Sequence, residues 1–206
     1  MALQIVPLVC GVIEENAWLV SREGREDCVL IDPGDDIEKL KGAVRGRKLQ
    51  AILLTHGHYD HILGAQPLSE ATGAPIYASQ AELCMLNDPW MNGLGPILGL
   101  NTPVEPPIRA AAFGETFEAA GLTFQVIPTP GHSKGSVCLY LPDENTLFAG
   151  DTLFRAGFGR MDLPGGSPMD MRHSLRRLFE LPGDTRVYCG HGEDTTIGEE
   201  KRRFHL

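Results

Sequence analysis

The sequence predicts a mixed α/β fold built in layers, and three observations carry that expectation. Apolar and β-branched runs alternate with helical patterns along the chain. Strands come in meanders at both ends with helices interspersed, which argues against one pure parallel sheet. At 206 residues, 42% hydrophobic and 22% charged, the chain has the apolar content of a globular protein with a sizeable core.

Glycine and proline punctuate the elements. The first strands are expected at 3–6 (LQIV), 16–21 (NAWLVS) and 28–32 (CVLID), followed by a helix over 36–46. A buried strand at 51–54 (AILL) leads into a helix at 61–72, where Ile62, Leu63, Ala65 and Leu68 recur at helical spacing. A strand at 75–78 and a helix at 79–87 come next. The second half reads as strands at 122–127, 136–141, 146–149 and 186–189, with helices at 168–180 and 197–204. Residues 87–112 fit neither period: prolines and glycines mix there with Trp90, Met91, Ile97 and Leu98, as in a lid or binding loop, or in a short helix packed over the core edge. No internal repeat of fixed period is visible.

Several function classes are disfavoured. The formal net charge of -9 opposes binding to phosphate backbones, and the basic clusters Arg176-Arg177 and Lys201-Arg202-Arg203 are short enough to be solvated helix faces. The apolar start, MALQIVPLVCGVI, lacks a basic leading region and a small-residue cleavage site, so it reads as a strand and not a signal. No run approaches the roughly 18 to 20 apolar residues of a membrane span. Five widely spaced cysteines, at 10, 28, 84, 138 and 189, fit reduced and mostly buried thiols in a cytoplasmic protein. No nucleic-acid or membrane partner is therefore expected, and oligomeric state is not readable.

The chemistry is concentrated in THGHYDH, residues 55–61, which directly follows a strand and precedes a helix. A chance H-x-H-x-D-H somewhere in the chain has a probability of roughly one in two thousand, so accident is a poor explanation. His56, His58, Asp60 and His61 would sit on a strand-to-helix loop, where side chains can converge on a divalent ion. Four ligands from six consecutive residues cannot easily surround one ion, so other segments must complete the site. His132, Asp151 and His191 each end a predicted strand and each follow a glycine, which permits a sharp turn. His173, beside Arg172, Arg176 and Arg177, reads as surface, and His205 falls on the last predicted helix.

These residues resemble the metallo-β-lactamase-fold hydrolases. The blocks that carry the resemblance are T-H-x-H-x-D-H at 55–61, TPGHSKGS at 129–136, FAGDTLF at 148–154 and CGHGEDTT at 189–196. They span nearly the whole chain, in order. Within that group the chain looks most like the glyoxalase II (hydroxyacylglutathione hydrolase) type in its compact bacterial form, with GDTLFRAGFGRMDLPGG as the most telling block. The resemblance implies an αββα sandwich, two mixed β-sheets flanked by helices, in one domain over 1–206 without the C-terminal helical domain that larger relatives use for glutathione. It further implies that His56, His58 and His132 hold one metal and Asp60, His61 and His191 a second, with Asp151 bridging. Zinc is the first expectation, and imidazole and carboxylate also suit iron or manganese. Asp60 and Asp151 would be the catalytic carboxylates, and two ions about 3.5 Å apart would share a hydroxide that attacks an acyl carbonyl. A thioester suits this chemistry, because a thiolate with a pKa near 8.5 leaves without a strong general acid. The expected partner is thus a small-molecule thioester, glutathione-derived in the archetype. Arg160 either pairs with a substrate carboxylate or forms a surface ion pair with Asp162.

Four rivals remain in view. A persulfide dioxygenase of the same fold would use a single iron held by His56, His132 and Asp151. Another metallo-hydrolase, or a non-catalytic metal-binding module, would keep the fold and change or lose the reaction. A serine hydrolase would read Gly131-His132-Ser133-Lys134-Gly135 as a nucleophile elbow with Asp151 and His191, but SVCLYL after Gly135 reads as a strand where that elbow needs a helix. Cys189 precedes Gly190-His191 and is read as a buried small residue, since the ligand set is complete without it.

Overall fold

A computed structural model describes residues 1–204; His205 lies outside the described residues. Two six-stranded sheets form the centre. The first follows chain order: β1 (Leu3–Cys10), β2 (Glu15–Arg22), β3 (Asp27–Ile31), β4 (Lys48–Leu53), β5 (Ile76–Ala78) and β6 (Ala110–Ala112). The first two pairings are antiparallel and the other three parallel, so the sheet is mixed. In the second sheet β7 (Thr116–Ala119), β8 (Leu122–Pro128), β9 (Val137–Leu141) and β10 (Thr146–Gly150) form an antiparallel meander. Beyond β10 lie β11 (Arg186–Cys189), parallel to it, and β12 (Thr195–Thr196), antiparallel to β11.

The burial pattern makes four layers. Trp18, Val20, Val29, Ile31 and Leu53 of the first sheet pack against Phe124, Val137, Leu139, Leu141 and Phe148 of the second. The outer face of the first sheet buries Leu30 and Ile52 under Leu40 of α1 (Ile37–Val44), Ile62 of α2 (Tyr59–Ile62) and Leu68 of α3 (Ala65–Thr72). The outer face of the second buries Cys138, Leu147 and Val187 under Met171, Leu175 and Leu178 of α5 (Pro168–Leu178) and Ile197 of α6 (Ile197–Phe204). Strands such as β3, β9 and β10 are buried along their full length because both of their faces are covered. This is the αββα sandwich.

Two expectations are corrected, and the open reading of 87–112 is decided. The segment expected to be one helix over 61–72 is two, α2 and α3, broken at Gly64, where a Cβ would press on the Pro33 and Gly34 carbonyls at 2.9 Å. Residues 79–87 run as successive turns and not as a helix, since the Glu82 carboxylate is drawn inward to distant backbone amides. Within 87–112 lie a short helix, α4 (Leu94–Leu98), and β6, so the stretch is not wholly irregular. His173 is exposed, as are Arg172, Arg176 and Arg177. Among the described residues no helix is long and apolar enough to cross a membrane.

Candidate metal centre

The catalytic-looking residues leave the strands at one edge of the sandwich, and both sheets contribute. His56, His58, Asp60 and His61 follow β4 of the first sheet. His132 follows β8, Asp151 follows β10 and His191 follows β11, all of the second. Ligand atoms of His56, His58 and His132 lie within 4.8 Å of one another, and so do those of Asp60, His61 and His191. Asp151 stands between the two sets: its Oδ2 is 3.4 Å from His132 Nε2 and 3.7 Å from His191 Nε2, and its Oδ1 is 3.4 Å from His61 Nε2. The fold thus brings these seven residues together at one edge of the sandwich.

Neighbouring acceptors decide which ring nitrogen of each histidine faces inward. His132 Nδ1 is 2.7 Å from the Arg160 carbonyl, His191 Nδ1 is 3.2 Å from the Ile13 carbonyl, and His61 Nδ1 is 3.2 Å from Asp32 Oδ2. His56 Nδ1 lies 3.1 Å from Thr55 Oγ1, which donates in turn to Asp32 Oδ2 at 2.6 Å. Four Nε2 atoms are thereby turned to the interior, the arrangement that orients metal-binding imidazoles. His58 is the exception; its Nδ1 faces His132 Nε2 at 2.7 Å.

Several of the inward atoms are left wanting. His56 Nε2, His61 Nε2 and Asp151 Oδ1 are buried without a hydrogen-bond partner among the described residues. Buried polar atoms are normally paired, so converging lone pairs of this kind fit a cation. Burial, reinforced by neighbouring histidines, lowers the pKa of His56, and it holds His58 at about 3 despite Asp60 and Asp151. Both are therefore neutral at pH 7, the form that donates a lone pair. For His61, burial alone would disfavour the charged form, but Asp60 and Asp151 outweigh it and raise the pKa well above the ordinary value. The carboxylates that favour a proton there would favour a divalent cation in its place. Asp60 is held below the usual carboxylate range because His61 and His191 outweigh its burial.

Three positioning residues were missed by sequence reasoning. Asp32, at the end of β3, accepts from the Thr55 amide and hydroxyl and from His61, and it takes a left-handed φ of 47° to do so. Because its oxygens are engaged there, its proximity to His56 and His61 serves to anchor them and does not make a third ion site. Its signal was available: a carboxylate ending an apolar strand, as Asp151 does. Glu15 opens β2, is fully buried with both oxygens unpartnered among the described residues, and puts Oε1 3.6 Å from His61 Nδ1; burial raises its pKa well above normal. Glu82 accepts from the Gly57 amide at 2.7 Å, the Gly135 amide at 2.6 Å and the Ser133 hydroxyl at 2.9 Å, joining the two loops that carry His58 and His132.

Ser133 is fully buried, and its hydroxyl bonds Glu82 and Ser136 instead of a histidine. A serine nucleophile is not assembled. Cys189 is buried and its thiol is pushed up to about 12, chiefly by burial, so it stays protonated. Arg160 forms a two-pronged ion pair with Asp162 at 2.8 and 2.7 Å on the exposed rim of the site.

The chemistry opens into a cleft of about 230 Å³ lined by Ile13, His58, Tyr59, Asp60, Ile97, His132, Arg160, Leu163 and His191. A larger groove of about 870 Å³, beside Phe113, Lys134 and Arg177, contains none of the histidines and is not the reaction site. Close packing behind the cleft depends on glycine. A Cβ on Gly190 would strike Asp151 Oδ1 and come within 2.8 Å of His61 Cε1. Gly190→Ala is therefore expected to lower metal content and activity together, and a variant that keeps both would remove the case for close approach at this position.

The sequence profile of the Metallo-beta-lactamase superfamily matches residues 10–191. An uncharacterized protein of Aquifex aeolicus is 37% identical over 98% of this chain and 94% of its own length, and a probable metallo-hydrolase of Bacillus subtilis is 33% identical over 93% and 91%. A hydroxyacylglutathione hydrolase of Pseudomonas entomophila is 38% identical over 84% of this chain but only 60% of its own length. Among solved structures, the BLEG-1 B3 metallo-β-lactamase is 34% identical with a TM-score of 0.90, covering 97% of both chains. TTHA1623 in a di-iron-bound form is 42% identical with a TM-score of 0.84, covering 96% of this chain and 98% of its own. ETHE1 from Myxococcus xanthus is 28% identical with a TM-score of 0.76, covering 97% and 82%.

Proposed function

The chain belongs to the metallo-β-lactamase superfamily, and from that premise we propose that it is a metal-dependent hydrolase of thioesters, using two divalent ions, with S-2-hydroxyacylglutathione as the reference substrate. The observation that carries the reading is the pair of three-residue ligand sets with Asp151 between them. His56, His58 and His132 would hold one ion, Asp60, His61 and His191 the other, and Asp151 would touch both. Bound there, the ions would supply hydroxide at neutral pH and stabilise negative charge on a carbonyl oxygen.

The chain's own residues do the rest. Asp60 stays ionised between His191 Nε2, at 3.2 Å from its Oδ2, and His61 Nε2, at 3.5 Å, which fixes all three side chains. Tyr59, Ile97 and Leu163 wall the cleft and limit water around the carbonyl. A thiolate leaving group needs no strong acid from the cleft lining. The relative named hydroxyacylglutathione hydrolase supports thioester cleavage, and TTHA1623 in its di-iron form supports a two-metal site in this fold.

The likeness to ETHE1 keeps the persulfide dioxygenase reading as the second, with iron at His56, His132 and Asp151. Elemental analysis of the purified protein, paired with hydrolysis of an acylglutathione and oxygen uptake on glutathione persulfide, separates the two. Two metals per chain with chelator-sensitive hydrolysis is the expected result. One iron per chain with oxygen uptake and no hydrolysis would overturn it.

A further inference from the structure

The cleft is walled by apolar side chains that come from two separate segments. Ile13 lies in the turn between β1 and β2, and Ile97 on α4; they line the cleft with Tyr59 and Leu163, yet both remain 40% exposed or more. Along the chain Val12 precedes Ile13, and Trp90, Leu98 and Leu100 flank Ile97; all four are exposed. Exposed apolar side chains gathered at a cleft mark a surface that meets an apolar ligand.

Both segments are fastened to the reacting centre. The Ile13 carbonyl is the acceptor for His191 Nδ1 at 3.2 Å. The Tyr59 amide donates to the Asn92 carbonyl at 2.9 Å, and a Cβ on Gly93 would lie 3.2 Å from Ile97 Cδ1, 3.6 Å from Tyr59 Cδ1 and 3.8 Å from His58 Cδ2. The start of α4 therefore rests on the histidine loop. These apolar walls have a set distance from the position where a carbonyl would be attacked.

Charge at the mouth points the same way. Among the described residues Arg160 is the one lysine or arginine lining the cleft, and Asp162 engages it with two hydrogen bonds. Apart from the metal-set residues and this engaged guanidinium, the cleft offers a 2-hydroxyl group little beyond the Tyr59 phenol. The attacked carbon carries both the acyl substituent and the thiol sulfur, and a cleft of this size takes a short acyl group while a tripeptide-sized thiol extends into solvent. Resting on the thioester reading above, we propose that the preferred substrates carry a short apolar acyl chain, of about the hexanoyl class, and not a 2-hydroxyacyl group. A cleft of about 230 Å³ suits a short chain.

The test is a series of acetyl, butanoyl, hexanoyl and lactoyl thioesters, each made on both glutathione and the neutral thiol N-acetylcysteamine, with the metal-replete protein. Alongside, calorimetry measures binding of the matching ketones, in which a methylene replaces the thioester sulfur. Given the free energy of burying each methylene, kcat/KM should rise at least about tenfold from acetyl to hexanoyl on either thiol, with lactoyl below butanoyl. Ile13→Ser and Ile97→Ser, both at partly exposed positions, should flatten the series. A flat series, or a preference for lactoyl, with thioesters still cleaved, overturns the apolar-acyl assignment and leaves the hydrolase reading standing. If no thioester is cleaved but the hexanoyl-length ketone binds about tenfold tighter than the acetyl-length one, the hydrolase reading fails and the apolar cleft stands.

Discussion

Asp151→Ala is expected to lower thioester turnover by about 10³-fold or more, the order seen when a group that organises charge in a transition state is removed. Its oxygens stand 3.4 to 3.7 Å from nitrogens of His61, His132 and His191, so it touches both sets. Burial would push its carboxyl up, but the neighbouring histidines, His61 first, hold it well below the ordinary range, so it is ionised at neutral pH. Elemental analysis should show fewer than two metals per chain in the variant, with circular dichroism unchanged. Wild-type turnover in Asp151→Ala would disprove a bridged pair.

Glu82→Ala is expected to cost about 3–5 kcal/mol of stability and to weaken metal retention as well. Alanine would leave the Gly57 and Gly135 amides buried without their acceptor, at about 1–3 kcal/mol each, and would open a cavity between two ligand loops. For a chain of this size that corresponds to a fall in Tm of roughly 10 °C. Glu82→Gln separates the contributions. If the amide oxygen takes the place of Oε1 it keeps the bonds from Ser133 and Gly135, while the NH₂ group meets the Gly57 amide donor to donor. An intermediate Tm is expected for Glu82→Gln, and a Tm equal to wild type in both variants would rule out the staple.

The candidate ligands were legible because their signal is local: a histidine or aspartate directly after an apolar strand and a glycine. The layers were legible because β3, β9 and β10 carry continuous apolar runs. Glu82 was not, because its role is set by amides 25 and 53 residues away, and the same pull converts a helix-like sequence into turns. The three alanines of β6 have weak strand preference and are extended through pairing with β5. The short helix offered as one reading of 87–112 could not be placed, because Gly95 and Pro96 interrupt α4, although proline is tolerated in a first helical turn. Asp32 shows a different failure: like Asp151 it ends an apolar strand, but Ile31 and not a glycine precedes it, so it lacked half of the pattern.

The two halves of the centre ride on different sheets, and hydrogen bonds stitch them: the Asn16 amide donates to the Gly190 carbonyl, the Asn16 and Trp18 side chains reach the Cys189 carbonyl, the Val137 amide donates to the Thr55 carbonyl, and Glu82 joins the ligand loops. Neither half can recruit its partner until the sheets have docked across Phe124 and Phe148. A cation seated there would act as a rivet through a joint, and its affinity would report how well the joint is closed. Substitutions deep between the sheets, far from any histidine, would then be felt first as leakage of metal.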